Sequence, residues 1–339
     1  MTTSASIGDL SRSAQLRQSS SFLKSRLDVL SSEAASGLKS DVAAALDGQM
    51  DRIAHVQARL TALAAFQQNA ASAAVELSSM QDAMAAMQAI AQDSGPALLA
   101  AAGQGSPTDM DVRAAQAAGD LRSAVRLLNV EVGGRFLMAG AAIQTRPVAD
   151  ADRIMSDVRV AVAGLSTTAD IVAAVDGWFD TAPGGGGFAD IHYQGTVAGR
   201  GSVPVAPGTL LATGRTALDP AFGGLLKGLV LAALAADPPA GGGAADKAQL
   251  LTAAGQRIAA AGDRLISAQA EVGRTQEAAE KASVRNAAEI TTLSLARSDM
   301  LAADPYETAT ALTQTEASLQ TLYALTARLS RLTLTDYLR

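Results

Sequence analysis

The stretch Ile53–Met87, IAHVQARLTALAAFQQNAASAAVELSSMQDAMAAM, decides the fold. Its apolar residues fall at Ile53, Val56, Leu60, Leu63, Phe66, Ala70, Ala73, Leu77, Met80, Met84 and Met87. The steps are almost all alternating threes and fours, the signature of one face of a long α-helix. The spacing predicts helix from about Asp41 to about Gln92, closed by Ser94-Gly95-Pro96. About 50 residues rising ~1.5 Å each make a rod of roughly 75 Å. Such a rod must lie along another helix or along other chains to bury its stripe.

A counterpart lies near the other end. From about Asp246 to Leu301, the residues Ile258, Ala261, Leu265, Ala268, Val272, Ala279, Ala282, Ile290, Leu293 and Met300 sit mostly at heptad spacing. Outside each rod stands a shorter leucine helix. Leu16, Leu23 and Leu30 recur every seven residues with Leu27 between, and Ser36-Gly37 ends that helix. At the far end Leu322 and Leu329, and Leu325 and Leu332, repeat by seven after the Asp304-Pro305 break. The plan is a nested palindrome of short helix, long rod, insertion, long rod, short helix. Antiparallel pairing of the rods would bring both termini to one end.

Between the rods the texture changes. Ser106-Pro107 opens a third helix bearing Met110, Ala114, Ala117, Leu121, Val125 and Leu128. Gly133–Gly140 reads as a short apolar strand bracketed by glycines. Residues 150–164 and 168–179 read as short helices, Gly184–Gly187 as a flexible turn, and His192–Leu211 as hairpin strands. Asp219-Pro220 opens an apolar helix to about Ala236. The fold class expected is mainly α, an antiparallel long-helix coiled-coil bundle from the N- and C-terminal segments with a small α+β central insertion. The expected divisions are 1–40, an assembly helix; 41–145, rod; 146–218, insertion; 219–303, rod; and 304–339, a second assembly helix. The glycine-broken insertion is expected to be separable from the rods.

Composition narrows the function. The chain of 339 residues is 48% hydrophobic but only 3% aromatic, so its apolar content is largely Ala and Leu, which suits close-packed helices. A net charge of −6 without a basic cluster speaks against nucleic-acid binding. Cysteine is absent, which removes disulfides, thiolate nucleophiles and Cys–metal sites. No run of about 20 apolar residues is present to span a bilayer, and the first 20 residues are polar, unlike a cleaved secretory signal. An exported chain of this kind would leave by a route that reads no cleaved signal. His55 and His192 are far apart, and no HExxH, GxSxG or P-loop motif occurs. No catalytic, cofactor-binding or metal residue is expected, and an enzyme is the least favoured class. The Met80, Met84 and Met87 stripe reads as rod core, with an adaptable contact surface as the other reading. The rod arginines, Arg257 among them, read as solvated or inter-subunit charges.

Four stretches carry a family resemblance. Leu27–Gly37 is a leucine helix ending in Ser-Gly; Arg135–Gly140 is followed by Thr145 and Pro147; Asp219-Pro220-Ala221-Phe222 leads into an apolar helix; and the chain ends Leu332-Thr333-Leu334-Thr335-Asp336-Tyr337-Leu338-Arg339. In order and spacing these resemble the flagellin superfamily, and within it the flagellar hook-associated proteins of the hook–filament junction (hook-associated protein 3). Asp41-Val42-Ala43 stands where that family usually has Asp-Asp-Pro.

The resemblance implies a secreted structural subunit of the bacterial flagellum, serving motility, exported through the type III channel and joining hook to filament. It implies copies of the chain itself, neighbouring hook-associated proteins, and flagellin or hook subunits as partners. It also implies an export chaperone at the C-terminal helix, no nucleic acid and no membrane insertion. The expected assembly interface is Leu16, Leu23, Leu27 and Leu30 on the first helix, with Leu319, Leu322, Leu325, Leu329, Leu332, Leu334, Tyr337 and Leu338 on the last. A flagellin proper and a cytoplasmic coiled-coil adaptor are the alternatives.

Overall fold

The computed structural model describes residues 4–41, 43, 50–197, 201–239 and 242–337, with side chains between 11 and 328. It is mainly α with a small α+β insertion. The elements are α1 (Ser4–Ser36), α2 (Met50–Gln104), α3 (Pro107–Leu128), β1 (Glu131–Val132), β2 (Arg135–Phe136), α4 (Ala151–Ala161), α5 (Thr168–Asp180), α6 (Phe188–Ile191), β3 (Ser202–Ala206), β4 (Thr209–Ala212), α7 (Pro220–Leu234), α8 (Ala244–Leu301) and α9 (Pro305–Tyr337). Residues 1–63 with 288–339 form one compact unit, and residues 64–287 form a second.

In the second unit α2 and α8 run antiparallel. Gln67 Nε2 donates to Ser283 Oγ at 2.9 Å, Gln81 Nε2 to the Gln269 carbonyl at 2.8 Å, and Gly95 packs on Gly255 and Ile258. Partner numbers fall as those of α2 rise. The predicted stripe is the core: Leu77, Met80, Met84 and Met87 are all buried and meet Ile258, Ala261, Leu265 and Val272 in one continuous cluster. The methionine stripe is therefore packed inside this chain. The helix α7, almost wholly apolar, fills the centre of the same core.

Two local readings change. Ser94-Gly95-Pro96 does not end the rod; α2 continues through Pro96 to Gln104. An internal proline costs about 3 kcal/mol. Here the extra turns bury Leu98 and Ala101, and each large apolar side chain contributes roughly 1.5–3 kcal/mol. Ser94 Oγ donates to Asp120 Oδ2 of α3 at 2.7 Å, and Gly95 leaves room for α8. The Ser-Gly pair is thus a close-packing site and not a break. The Gly133–Gly140 stretch also differs. Its first part turns a two-residue hairpin, β1–β2, and Ala139 makes only an isolated bridge to Thr216. Gly140 closes it at φ 64°, where an added Cβ would lie 2.4 Å from the Thr196 carbonyl oxygen, so a side chain fails there twice over.

The insertion packs directly on the rods. Ile154, Val158, Ile171, Val175, Phe179 and Phe188 belong to the same buried cluster as the rod residues. Arg257 of α8 grips Asp176 of α5 side-on, Nε donating to Oδ1 and Nη2 to Oδ2. That contact holds the Asp176 carboxyl below the usual carboxylate range, against the opposing effect of burial. Arg257 is therefore an intrachain tie. The hairpin β3–β4 lies on the rods: Asn69 Nδ2 of α2 donates to the Pro204 carbonyl and Asn286 Nδ2 of α8 to the Val205 carbonyl, both at 2.9 Å. Val205 sits at an irregularity in the strand pairing and is fully buried.

Candidate assembly surface

The first unit carries the leucine residues singled out by the sequence. It is built on α1 and α9, which pack side by side along their lengths. They run antiparallel, since Lys24 Nζ stands 5.9 Å from the centre of the Tyr323 ring while Leu38 bridges Ala302. Leu16, Leu23 and Leu27 are half-buried and Leu30 is buried; on α9, Leu319 and Leu322 are half-buried. These residues share the seam between the two helices. Leu325 points away and is 50% exposed. The side chains of Leu329, Leu332, Leu334 and Tyr337, and all of Leu338, lie outside the described residues.

The pair is tied at one end by its two helix breaks. Gly37, at φ 69°, ends α1 in the left-handed turn that glycine tolerates, and its N–H donates to the Glu33 carbonyl at 2.8 Å. Lys39 N–H then donates to the Leu301 carbonyl at 2.8 Å, and Ala303 N–H to the Gly37 carbonyl at 2.9 Å. Asp304 Oδ1 accepts from the backbone N–H groups of Tyr306 (2.8 Å) and Glu307 (3.0 Å), capping α9. The Ser-Gly and Asp-Pro breaks are thus one two-stranded clasp. Just beyond it, Arg59 of α2 donates through Nε to Glu289 Oε1 of α8 at 2.7 Å, a half-buried ion pair.

Two helices can cover only one stripe of each other. What remains outside is apolar as well: Phe22 and Val29, seven residues apart on α1, and Tyr323 and Leu325 on α9 are all exposed. Phe22 and Val29 share one face of α1, whereas Tyr323 and Leu325, two residues apart, lie on different sides of α9; exposed apolar residues repeating along one helix face are the material of a docking face. Leu16, Leu23, Leu27 and Leu30, expected as an assembly interface, lie on a covered side of α1, while the exposed Phe22 and Val29 were not singled out. Phe22 and Val29 already stood at a heptad interval, which was the signal available.

Catalytic chemistry has little to build on. His55 is exposed on α2, and His192 is buried, in a turn after α6 and not in the strand expected for it. Among the described residues no group of His, Cys, Asp and Glu is placed to hold a metal, and no helix is long and apolar enough to cross a membrane. The Gly184–Gly187 turn is not an open phosphate cradle. Its amides are occupied from within, with Gly184 and Gly186 N–H donating to the two oxygens of Asp190 at 2.7 and 2.6 Å.

No protein-family model matches the chain, and no curated protein matches it. Among solved structures, the chain is similar to one from Vibrio parahaemolyticus that carries the provisional name of a flagellar hook-associated protein. The two share 15% sequence identity at a TM-score of 0.54, over 73% of this chain and 95% of that one. At that identity the likeness is one of fold.

Proposed function

We propose that the chain is a structural subunit of the bacterial flagellum that joins hook to filament and assembles through its two terminal segments, 1–40 and 304–339. The observation that carries this reading is the α1–α9 pair, which covers its leucine seam yet leaves Phe22 and Val29 on one face of α1, and Leu325 on α9, to water. The hook-associated name of the similar fold and the sequence motifs at both ends point the same way. Copies of the chain would bury these exposed residues against neighbouring copies and against hook or filament subunits, after export through the type III channel with a chaperone on the last helix. Each large apolar side chain buried there contributes roughly 1.5–3 kcal/mol. A handful suffices to offset the several kcal/mol lost on ordering and association.

The test combines location with one double variant. Antibody labelling of sheared flagella should mark the hook–filament joint only; labelling along the whole filament would instead make the chain a flagellin, and absence from flagella would reject the reading. Phe22→Asp with Leu325→Asp changes residues that are already exposed, so the purified protein should fold normally. Docking would then bury unpaired carboxylates at a cost of several kcal/mol. Cells carrying it should build hooks, lack filaments and shed flagellin into the medium. Normal filaments in that strain would sink the proposed interface.

A further inference from the structure

His192 is the one fully buried histidine, and nothing in an assembly role uses it. It sits in the turn after α6, packed edge-on against Trp178 of α5 (5.4 Å between ring centres, 62°) and stacked near Phe188 (6.1 Å, 24°). Phe179 completes the pocket, 4.9 Å from Phe188. The polar surroundings of the ring are thin. Nε2 lies 3.0 Å from Asp157 Oδ2 of α4, but without the alignment of a hydrogen bond, and Nδ1 meets no protein partner. A neutral imidazole tolerates this. An imidazolium would bury a second N–H with no acceptor.

The turn around it is tied to the rest of the unit by a short set of bonds, closed at its far end by Thr196, whose N–H donates to the Ala139 carbonyl at 3.0 Å and whose Oγ1 accepts from Ala141 N–H at 2.8 Å. His192 and Tyr193 N–H both donate to the Phe188 carbonyl, Ala149 N–H donates to the His192 carbonyl at 3.0 Å, and Gln194 N–H to the Pro147 carbonyl at 2.8 Å. Removing the ring from its pocket would release them together.

We propose that His192 is a proton-operated lock on residues 181–197. When neutral, it closes the aromatic pocket of Trp178, Phe179 and Phe188; when protonated, it leaves the pocket and the turn opens while the long-helix core of the unit stays folded.

The groups facing the ring fit this assignment. From α4, Asp157 favours the protonated ring and Arg153 opposes it. The α5 face is aromatic, and its Asp176 is committed to Arg257. From α6, Asp190 is committed to the glycine turn. Tyr193 beside it is pushed up to about 12 by burial and does not titrate in the same range. Burial is the largest influence on His192 and carries its pKa below the ordinary 6.5. The sign follows: above 6.5 the folded and open forms bind the same protons, and as pH falls below 6.5 the open form binds one more. The lock therefore weakens on acidification.

Trp178 is the chain's single tryptophan and stands against this ring, so the protein carries its own probe. Below pH 6.5, acrylamide should gain access to Trp178 while far-UV helicity holds. Protection of the His192 and Tyr193 amides against hydrogen exchange should fall by up to about tenfold per pH unit, the one-proton limit. His192→Phe, which suits the aromatic pocket, should abolish this transition, and His55→Gln should leave it unchanged. Asp157→Asn removes the charge that favours protonation and should move the transition to lower pH. No transition in the wild-type protein, its survival in His192→Phe, or a move to higher pH or no move in Asp157→Asn would each overturn the lock. The Asp157 arm decides the matter should His192→Phe fail to fold.

Discussion

Replacing Gly228 by Ala tests the packing of α7 on α8, the contact at the centre of the second unit. A Cβ at Gly228 would lie 2.4 Å from Ile258 Cγ1, 3.0 Å from the Ala254 carbonyl oxygen and 3.2 Å from the Ile258 nitrogen. Carbon atoms rest at about 3.5–4.0 Å, so the nearest contact is short by over ~1 Å. Two of the three neighbours are backbone atoms, which cannot rotate aside, and Ile258 is itself fully buried. Overpacking of this sort costs about 1–3 kcal/mol. Gly→Ala in a helix interior also gains ~0.8–1 kcal/mol of propensity. Gly223 in the same helix supplies the control, because a Cβ there meets nothing within 4 Å. Gly223→Ala should therefore stabilise by the propensity gain alone, and the difference between the two variants isolates the clash at about 1–3 kcal/mol. With a urea slope of ~3 kcal/mol/M, the midpoints followed by far-UV circular dichroism should differ by roughly 0.3–1 M. A Gly228→Ala protein as stable as Gly223→Ala would show that α7 and α8 do not meet as described.

Two further outcomes are expected. Asn286→Ala should leave the buried Val205 carbonyl without its donor, costing about 1–3 kcal/mol and speeding hydrogen exchange across β3–β4; unchanged exchange there would remove the asparagine grip from the fold. Asp190→Asn should make Gly184–Gly187 sensitive to limited elastase digestion at neutral pH. The wild-type turn should acquire the same sensitivity only in acid, because the Gly184 and Gly186 amides hold Asp190 below its ordinary 3.8 and its contribution is lost as pH falls through that lower value. Equal digestion of variant and wild type at neutral pH would mean that the carboxylate does not organise the turn.

The sequence by itself determined the long elements and two of their ends. Helical period is a local property: the three-and-four spacing of Ile53–Met87 and the heptads of Ile258–Met300 each need only their own chain to be read. The Ser36-Gly37 and Asp304-Pro305 breaks are equally local, because a left-handed glycine and a capped proline act on their own backbone. The heptad of Leu16, Leu23, Leu27 and Leu30 was legible for the same reason, as a stripe that needs cover. What the tertiary structure decided is what each local signal meets. Ser94-Gly95-Pro96 carries the composition of a break, yet Gly255 and Asp120, distant in sequence, turn it into a packing site. Asn69 and Asn286 are ordinary polar residues on a helix until β3 crosses them. Phe22 and Val29 repeat like seam residues, but only the placement of α9 on the other stripe leaves them facing water. His192 follows the same rule: its burial is made by α4, α5 and α6 together, and no window of sequence around it contains Asp157 or Trp178. Period and capping act within a few residues of chain, whereas burial is set by which surfaces meet, and that depends on the whole path between them.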